Sequence, residues 1–283
     1  MSEVLQIRVH GEAGLPTVIY LPGLHGDWLL VTRFRLAMAG RVRFVEFTYP
    51  NTVTWGIGDF AAAVAERLRE HGIVKGWVLA ESFGSQVAWE LMEGSRRGEE
   101  AEASDAARGA APEDSAALPR RLRGFRAEGL ILAGGFVKHP WPVAVRVTEW
   151  LLRRLPLALL TAVVGAYAVA ARWRFKQHPE VMGALREFRA RWGEPLRAAA
   201  AHRTHLVALN DPRALARAVR VPVFCLTGAW DPVVPWVPVR RWLRRECPGW
   251  RGSRVVWSAD HNVLGTGTAA SAEQVLGWLA AYS

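Results

Sequence analysis

The stretch VLAESFGSQVAWEL, residues 78–91, decides how the rest of this chain is read. An aliphatic run enters a cluster of small residues and leaves as an amphipathic helical pattern, with Ser82 at the corner. Where a strand turns sharply into a helix, the residues two before and two after the corner must be small, because the two elements approach closely. Ala80 and Gly84 meet that demand. The usual spelling of a nucleophile-bearing turn is Gly-x-Ser-x-Gly, so Ala80 departs from it by one methyl group and Ser85 adds a second hydroxyl. One methyl is a modest demand, whereas a branched side chain would be prohibitive. Taken alone, Ser82 is either an activated nucleophile in a strained backbone conformation or a polar residue in a plain strand-to-helix turn.

The flanking sequence repeats the same alternation. TVIYLPG (17–23) is a buried-strand pattern closed by Pro and Gly, and RVRFVEFTYP (41–50) is a second one stopped by proline. IGDFAAAVAERLREHG has helical spacing, with Asp59 as the expected N-cap, Phe60, Val64 and Leu68 on one face, and Gly72 at its end. Further strands are expected over 127–136, 220–231 and 253–261, with a closing helix after the last. Continuous apolar strands alternating with helices predict an α/β class protein, a mostly parallel sheet covered on both faces. Ligands of such sheets bind beyond the carboxyl ends of the strands, where Gly23, Ser82, Asp231 and His261 fall.

Two stretches interrupt the pattern. Residues 94–124 are rich in Ala, Gly, Glu and Arg with hardly an aliphatic side chain, which predicts a flexible surface loop. Residues 138–217 read as a helical cap inserted before the acid-bearing strand, over a core of residues 1–137 and 218–283. Within the cap, residues 155–171 carry no charge over 17 positions. That length touches the lower limit for a membrane span, but Ala, Gly and Pro make it weakly apolar, and a buried cap helix is the expectation. The net charge of +10 resides in residues 138–220, with 15 Lys or Arg against 5 Asp or Glu. Solvated helix faces account for such a surplus, and so does a cap resting on an anionic membrane; no nucleic-acid motif accompanies it, so no nucleic-acid partner is expected. Cys225 and Cys247 define no disulfide framework, and Cys225 sits in a strand pattern as a buried free thiol. The opening residues show no signal-peptide pattern, which makes the cytoplasm the expected compartment.

Acyl-transfer chemistry needs a nucleophile, a base, an acid to orient the base, and donors for the oxyanion. Asp231 follows one strand and His261 the last, so Ser82, Asp231 and His261 occur in the chain order expected for such a triad. Asp260 competes with Asp231 as the partner of His261. The backbone N–H groups of Leu24, after Gly23, and of Phe83 are the candidate oxyanion donors, and His25 is placed near enough to line the site. The histidines show no metal-ligand spacing, and neither a metal nor an organic cofactor is required by this chemistry.

With these residues in view, the chain resembles an α/β-hydrolase fold serine hydrolase over nearly its full length. LPGLHGD (21–27), the Tyr49–Pro50 pair, AESFGS (80–85) and GAWDPVVP (228–235) are similar to a bacterial esterase, lipase or thioesterase-like branch with an LPG-L-D-G turn and an A-E-S-F elbow. His25 departs from that branch's Asp. The resemblance implies the triad Ser82, Asp231 and His261, the oxyanion donors Leu24 and Phe83, and cleavage of a small-molecule ester or thioester with an apolar acyl or alcohol part. A C–C hydrolase or acyltransferase would use the same triad, and a non-catalytic binding protein or a membrane-surface protein on this fold stays open. The oligomeric state is not readable from the residues.

Overall fold

The computed structural model describes residues 4–108, 125–162, 165–166, 190 and 192–282. Seven strands form one sheet: β1 (Gln6–His10), β2 (Thr17–Leu21), β3 (Arg43–Thr48), β4 (Lys75–Glu81), β5 (Arg126–Ala133), β6 (Val223–Gly228) and β7 (Trp250–Val256). Their order is β1-β3-β2-β4-β5-β6-β7; β1 pairs antiparallel with β3, and every other pairing is parallel. β2, β4 and β6 are buried along almost their whole length, as strands covered on both faces must be. The chain passes from β2 outward to β3 and then back across β2 to β4. That reversal opens a crevice at the carboxyl ends of β2 and β4, where Gly23 and Ser82 stand.

The helices include α1 (Thr32–Ala37), α2 (Ile57–Glu70), α3 (Gly84–Arg108), α4 (Pro142–Arg154), α5 (Glu194–Leu209), α6 (Arg213–Ala218), α7 (Trp236–Glu246), α8 (Val263–Thr266) and α9 (Thr268–Tyr282). Two apolar clusters cover the sheet, one joining Phe60, Val64 and Leu68 of α2 to Val87 and Trp89 of α3, the other joining Phe34 of α1 to Val275 and Leu279 of α9. Between β5 and β6, α4 packs against α5, while α6 lies against α3.

The structure corrects several expectations. Residues 94–108 are helix, not loop: α3 runs on to Arg108. Ala, Glu and Arg are strong helix formers. Glu93 receives Arg96 at 2.8 Å and Arg97 at 2.6 Å, and Arg96 also pairs with Glu100. A helix whose first turns are buried can continue into solvent on such pairs without an apolar face. Residues 109–124 of that stretch lie outside the described residues. α2 is capped at Gly56, and Asp59 sits in the first turn with its carboxylate accepting the Gly56 N–H at 2.8 Å. β5 stops at Ala133, short of Phe136, because Gly134 turns the chain with φ +56°. β1, α1 and α7 are not among the elements expected from the sequence, although α7 is strongly amphipathic. Of the uncharged run 155–171, positions 163–164 and 167–171 lie outside the described residues. No helix among the described residues is long and apolar enough to cross a membrane.

Candidate active site

Ser82 follows β4 with φ 47°, a left-handed conformation and the one positive φ of a non-glycine residue among those described. Holding such a residue there costs about 1–3 kcal/mol, and the surroundings enforce it. The Ser82 N–H donates to the Ala133 carbonyl at 3.2 Å, extending the β4–β5 ladder through the corner. Ser85 is structural: its hydroxyl donates to the Ser82 carbonyl at 2.6 Å and accepts from the Phe136 N–H at 3.2 Å. Gly84 is required sterically, since a Cβ there would stand 2.3 Å from the Leu21 carbonyl oxygen.

The expected side chains converge on this corner. The His261 Nε2 lies 3.0 Å from the Ser82 Oγ, and the His261 Nδ1 lies 2.8 Å from Oδ2 of Asp231. Asp231, its side chain fully buried, is held by its other oxygen, which accepts the N–H groups of Val233 and Val234, each at 2.8 Å. A carboxylate on Nδ1 fixes the imidazole tautomer with its proton on that nitrogen and leaves Nε2 to accept from the serine hydroxyl. Burial is the largest single influence on His261 and lowers its pKa. The hydrogen bond and charge of Asp231, helped by the charges of Glu81 and Asp260, outweigh it, so the net shift is upward from 6.5. Asp260 does not compete for the imidazole: its Oδ1 accepts the Asn262 N–H at 3.0 Å and the Thr266 hydroxyl at 2.9 Å, closing the turn before α8. Glycines carry the close approaches, for a Cβ at Gly134 would meet His261 Nδ1 at 3.2 Å and one at Gly228 would meet the Asp260 carbonyl at 2.0 Å.

The loop after β2 brings Leu24 to the same edge. A Cβ at Gly23 would meet the Ser82 Cβ at 3.3 Å and the His25 ring at 3.4 Å, so only a bare backbone fits between them. His25 serves that loop, its Nε2 donating to the Asp27 carbonyl at 2.9 Å. Among the described residues, neither the Leu24 nor the Phe83 N–H donates a hydrogen bond. A cavity of about 250 Å³ opens over Ser82, walled by Leu24, Phe83, Phe136, Trp141, Val145, Val207 and Val234.

Two further residues shape the site, neither of them a catalytic candidate in the sequence. His139 lines the cavity with both nitrogens occupied: Nδ1 accepts the Trp141 N–H at 3.1 Å and Nε2 donates to the Val233 carbonyl at 3.2 Å. Burial pushes its pKa below 6.5, so it is a neutral brace for the Asp231 loop. Its signal was its place after β5, at the same sheet edge. Arg203 of α5 is fully buried and donates to the carbonyls of Leu24 and Pro50 at 2.8 and 2.9 Å. It falls on the buried helical stripe of Leu196, Ala199, Ala200 and Val207, and that periodicity could have marked it.

No protein-family model and no curated protein matches the chain. Solved structures do. The enol-lactonase from Burkholderia xenovorans is 16% identical with a TM-score of 0.71, covering 98% of this chain and 96% of its own. A thermophilic esterase from Thermogutta terrifontis is 19% identical with a TM-score of 0.69, covering 99% and 94%. An esterase from Exiguobacterium antarcticum is 12% identical with a TM-score of 0.70, covering 98% and 95%. The likeness runs end to end, and with the strand order above it establishes the architecture: this chain has the α/β-hydrolase fold.

Proposed function

We propose that the protein is a serine hydrolase that cleaves carboxylic esters or thioesters through an acyl-enzyme on Ser82. One observation carries the reading: the His261 ring bridges the Ser82 hydroxyl at 3.0 Å and the Asp231 carboxylate at 2.8 Å. His261 takes the Ser82 proton as Oγ attacks the acyl carbonyl, and the N–H groups of Leu24 and Phe83 receive the oxyanion. The imidazolium, steadied by Asp231, then protonates the departing alcohol or thiol as the carbon–heteroatom bond breaks. Water attacks the acyl-enzyme, gives its proton to His261, and Ser82 leaves with that proton as the carboxylic acid departs. The similarity in fold to esterases and to a lactonase supports ester chemistry.

The cavity wall is apolar, and about 250 Å³ is at the small end for ligand sites, which favours a short to medium acyl group. A p-nitrophenyl ester series from acetate to laurate, read with wild type and Ser82→Ala, tests the proposal. Turnover with an optimum at the shorter chains, lost in Ser82→Ala, is expected; turnover that survives Ser82→Ala refutes it.

A second reading concerns where the enzyme works. Val143, Val147 and Trp150 form an exposed stripe on α4, beside the exposed Arg146, Arg153 and Arg154. That combination suits the surface of an anionic bilayer. Flotation with anionic but not neutral vesicles is the expected outcome, and a protein that stays in solution at low salt excludes it.

A further inference from the structure

We propose that Arg203 is a positioning residue for the oxyanion donor at Leu24, holding both the geometry and a positive charge beneath that loop. The inference rests on the reading of Ser82 and Leu24 just given. Arg203 is 0% exposed, although arginine is almost never fully buried unless paired. Its partners are two neutral carbonyls, Leu24 at 2.8 Å and Pro50 at 2.9 Å, and it lies over the Tyr49 ring at 5.6 Å. Among the described residues no carboxylate is seen in an ion pair with it, and the charge of Asp27 acts on it. Burial lowers its pKa to about 10, opposed by Tyr49 and Asp27, so it remains a cation at neutral pH.

The guanidinium fills the inside of the loop after β2. A Cβ on Gly26, whose φ is +76°, would stand 2.3 Å from the Arg203 Nη1, so the glycine backbone rests directly on the cation. Gly26 in turn donates to the Gly23 carbonyl at 3.0 Å and accepts from the Tyr49 N–H at 2.7 Å. Holding the Leu24 carbonyl sets the peptide plane after Leu24, and the Gly26–Gly23 bond holds the peptide plane before it, the one that carries the Leu24 N–H. The Leu24 N–H lies between these two restraints and its orientation follows from them. An apolar side chain could fill the same volume without the cost of desolvating a cation. A buried cation without a carboxylate partner is suited to negative charge that appears only during the reaction, when the acyl oxygen becomes an oxyanion.

The test compares Arg203→Lys, Arg203→Gln and Arg203→Met with wild type on one p-nitrophenyl ester, reading kcat, KM and thermal unfolding. In Arg203→Met, kcat is expected to fall about 10- to 100-fold, up to the loss of one oxyanion donor, with KM within about threefold. Arg203→Lys, which keeps the charge and a donor, is expected to recover most of kcat. Arg203→Gln, a neutral donor, should fall between them; where Arg203→Met does not fold, the Lys–Gln difference decides. Folded variants with wild-type kcat overturn the proposal, as does a loss that lysine restores no better than glutamine. Activity that survives Ser82→Ala would instead overturn the underlying reading, so the two failures are separable.

Discussion

Two loops meet at the carboxyl edge of this sheet, and they are held in opposite ways. The corner after β4 is local: Ser82 is set by the ladder to Ala133, by the hydroxyl of Ser85 three residues on, and by Gly84 against the end of β2. The loop after β2 is held from a distance: Arg203, 179 residues away, grips the Leu24 carbonyl, and Tyr49 binds the Gly26 carbonyl. Backbone pairing and near neighbours fix the first corner. The second is held by Arg203 of α5.

Substitutions distinguish the two loops, beginning with the largest effect. Ser82→Ala should lower kcat by about 10⁶-fold, the scale of losing a triad nucleophile, while leaving thermal unfolding close to wild type. Asp231→Asn should lower kcat about 10⁴-fold, because the amide no longer selects the productive imidazole tautomer. Asp260→Asn, whose carboxylate bonds the turn before α8 rather than the imidazole, should change kcat less than about tenfold, and equal losses at 231 and 260 would break the assignment. The glycines sharpen the contrast further. Gly84→Ala forces backbone apart and should cost about 1–3 kcal/mol in denaturant unfolding. Gly26→Ala displaces Arg203 and should act chiefly on kcat, by about tenfold.

The smallest effect is a shift along the pH axis. Because the Asp231 interaction, with Glu81 and Asp260, overrides burial and raises the His261 pKa, kcat/KM should rise with pH through an inflection above 6.5. The linked stability has the opposite sense. A raised imidazole stabilises the folded state below its unfolded pKa, and that contribution is lost as pH rises through the folded value. An acid limb centred below 6.5 would contradict the Asp231–His261 contact.

The local corner was legible in the sequence because its determinants are contiguous: small residues at 80 and 84, an apolar strand before them and a helical pattern after. The order Ser82, Asp231, His261 was legible for the same reason, each residue following its own strand pattern, and the structure brings the three side chains together. The distant restraint was not recognised. Net charge carries no information on burial, so from sequence Arg203 is one more surplus cation, although its stripe with Leu196 and Val207 points inward. Residues 94–108 read as loop from their lack of apolar side chains, and helix propensity with the Glu93–Arg96–Arg97 pairs outweighs that lack. β1 escaped notice as an edge strand with mixed exposure, where no continuous apolar run exists to mark it.

In the proposed mechanism the imidazole at 261 activates the hydroxyl at position 82. Intact-mass analysis after reaction with a fluorophosphonate, followed by peptide mapping, addresses it most directly. The expected result is one adduct per chain on Ser82, absent in Ser82→Ala and slowed severely in His261→Ala. An adduct on another residue, or Ser82 labelling undiminished in His261→Ala, would contradict it.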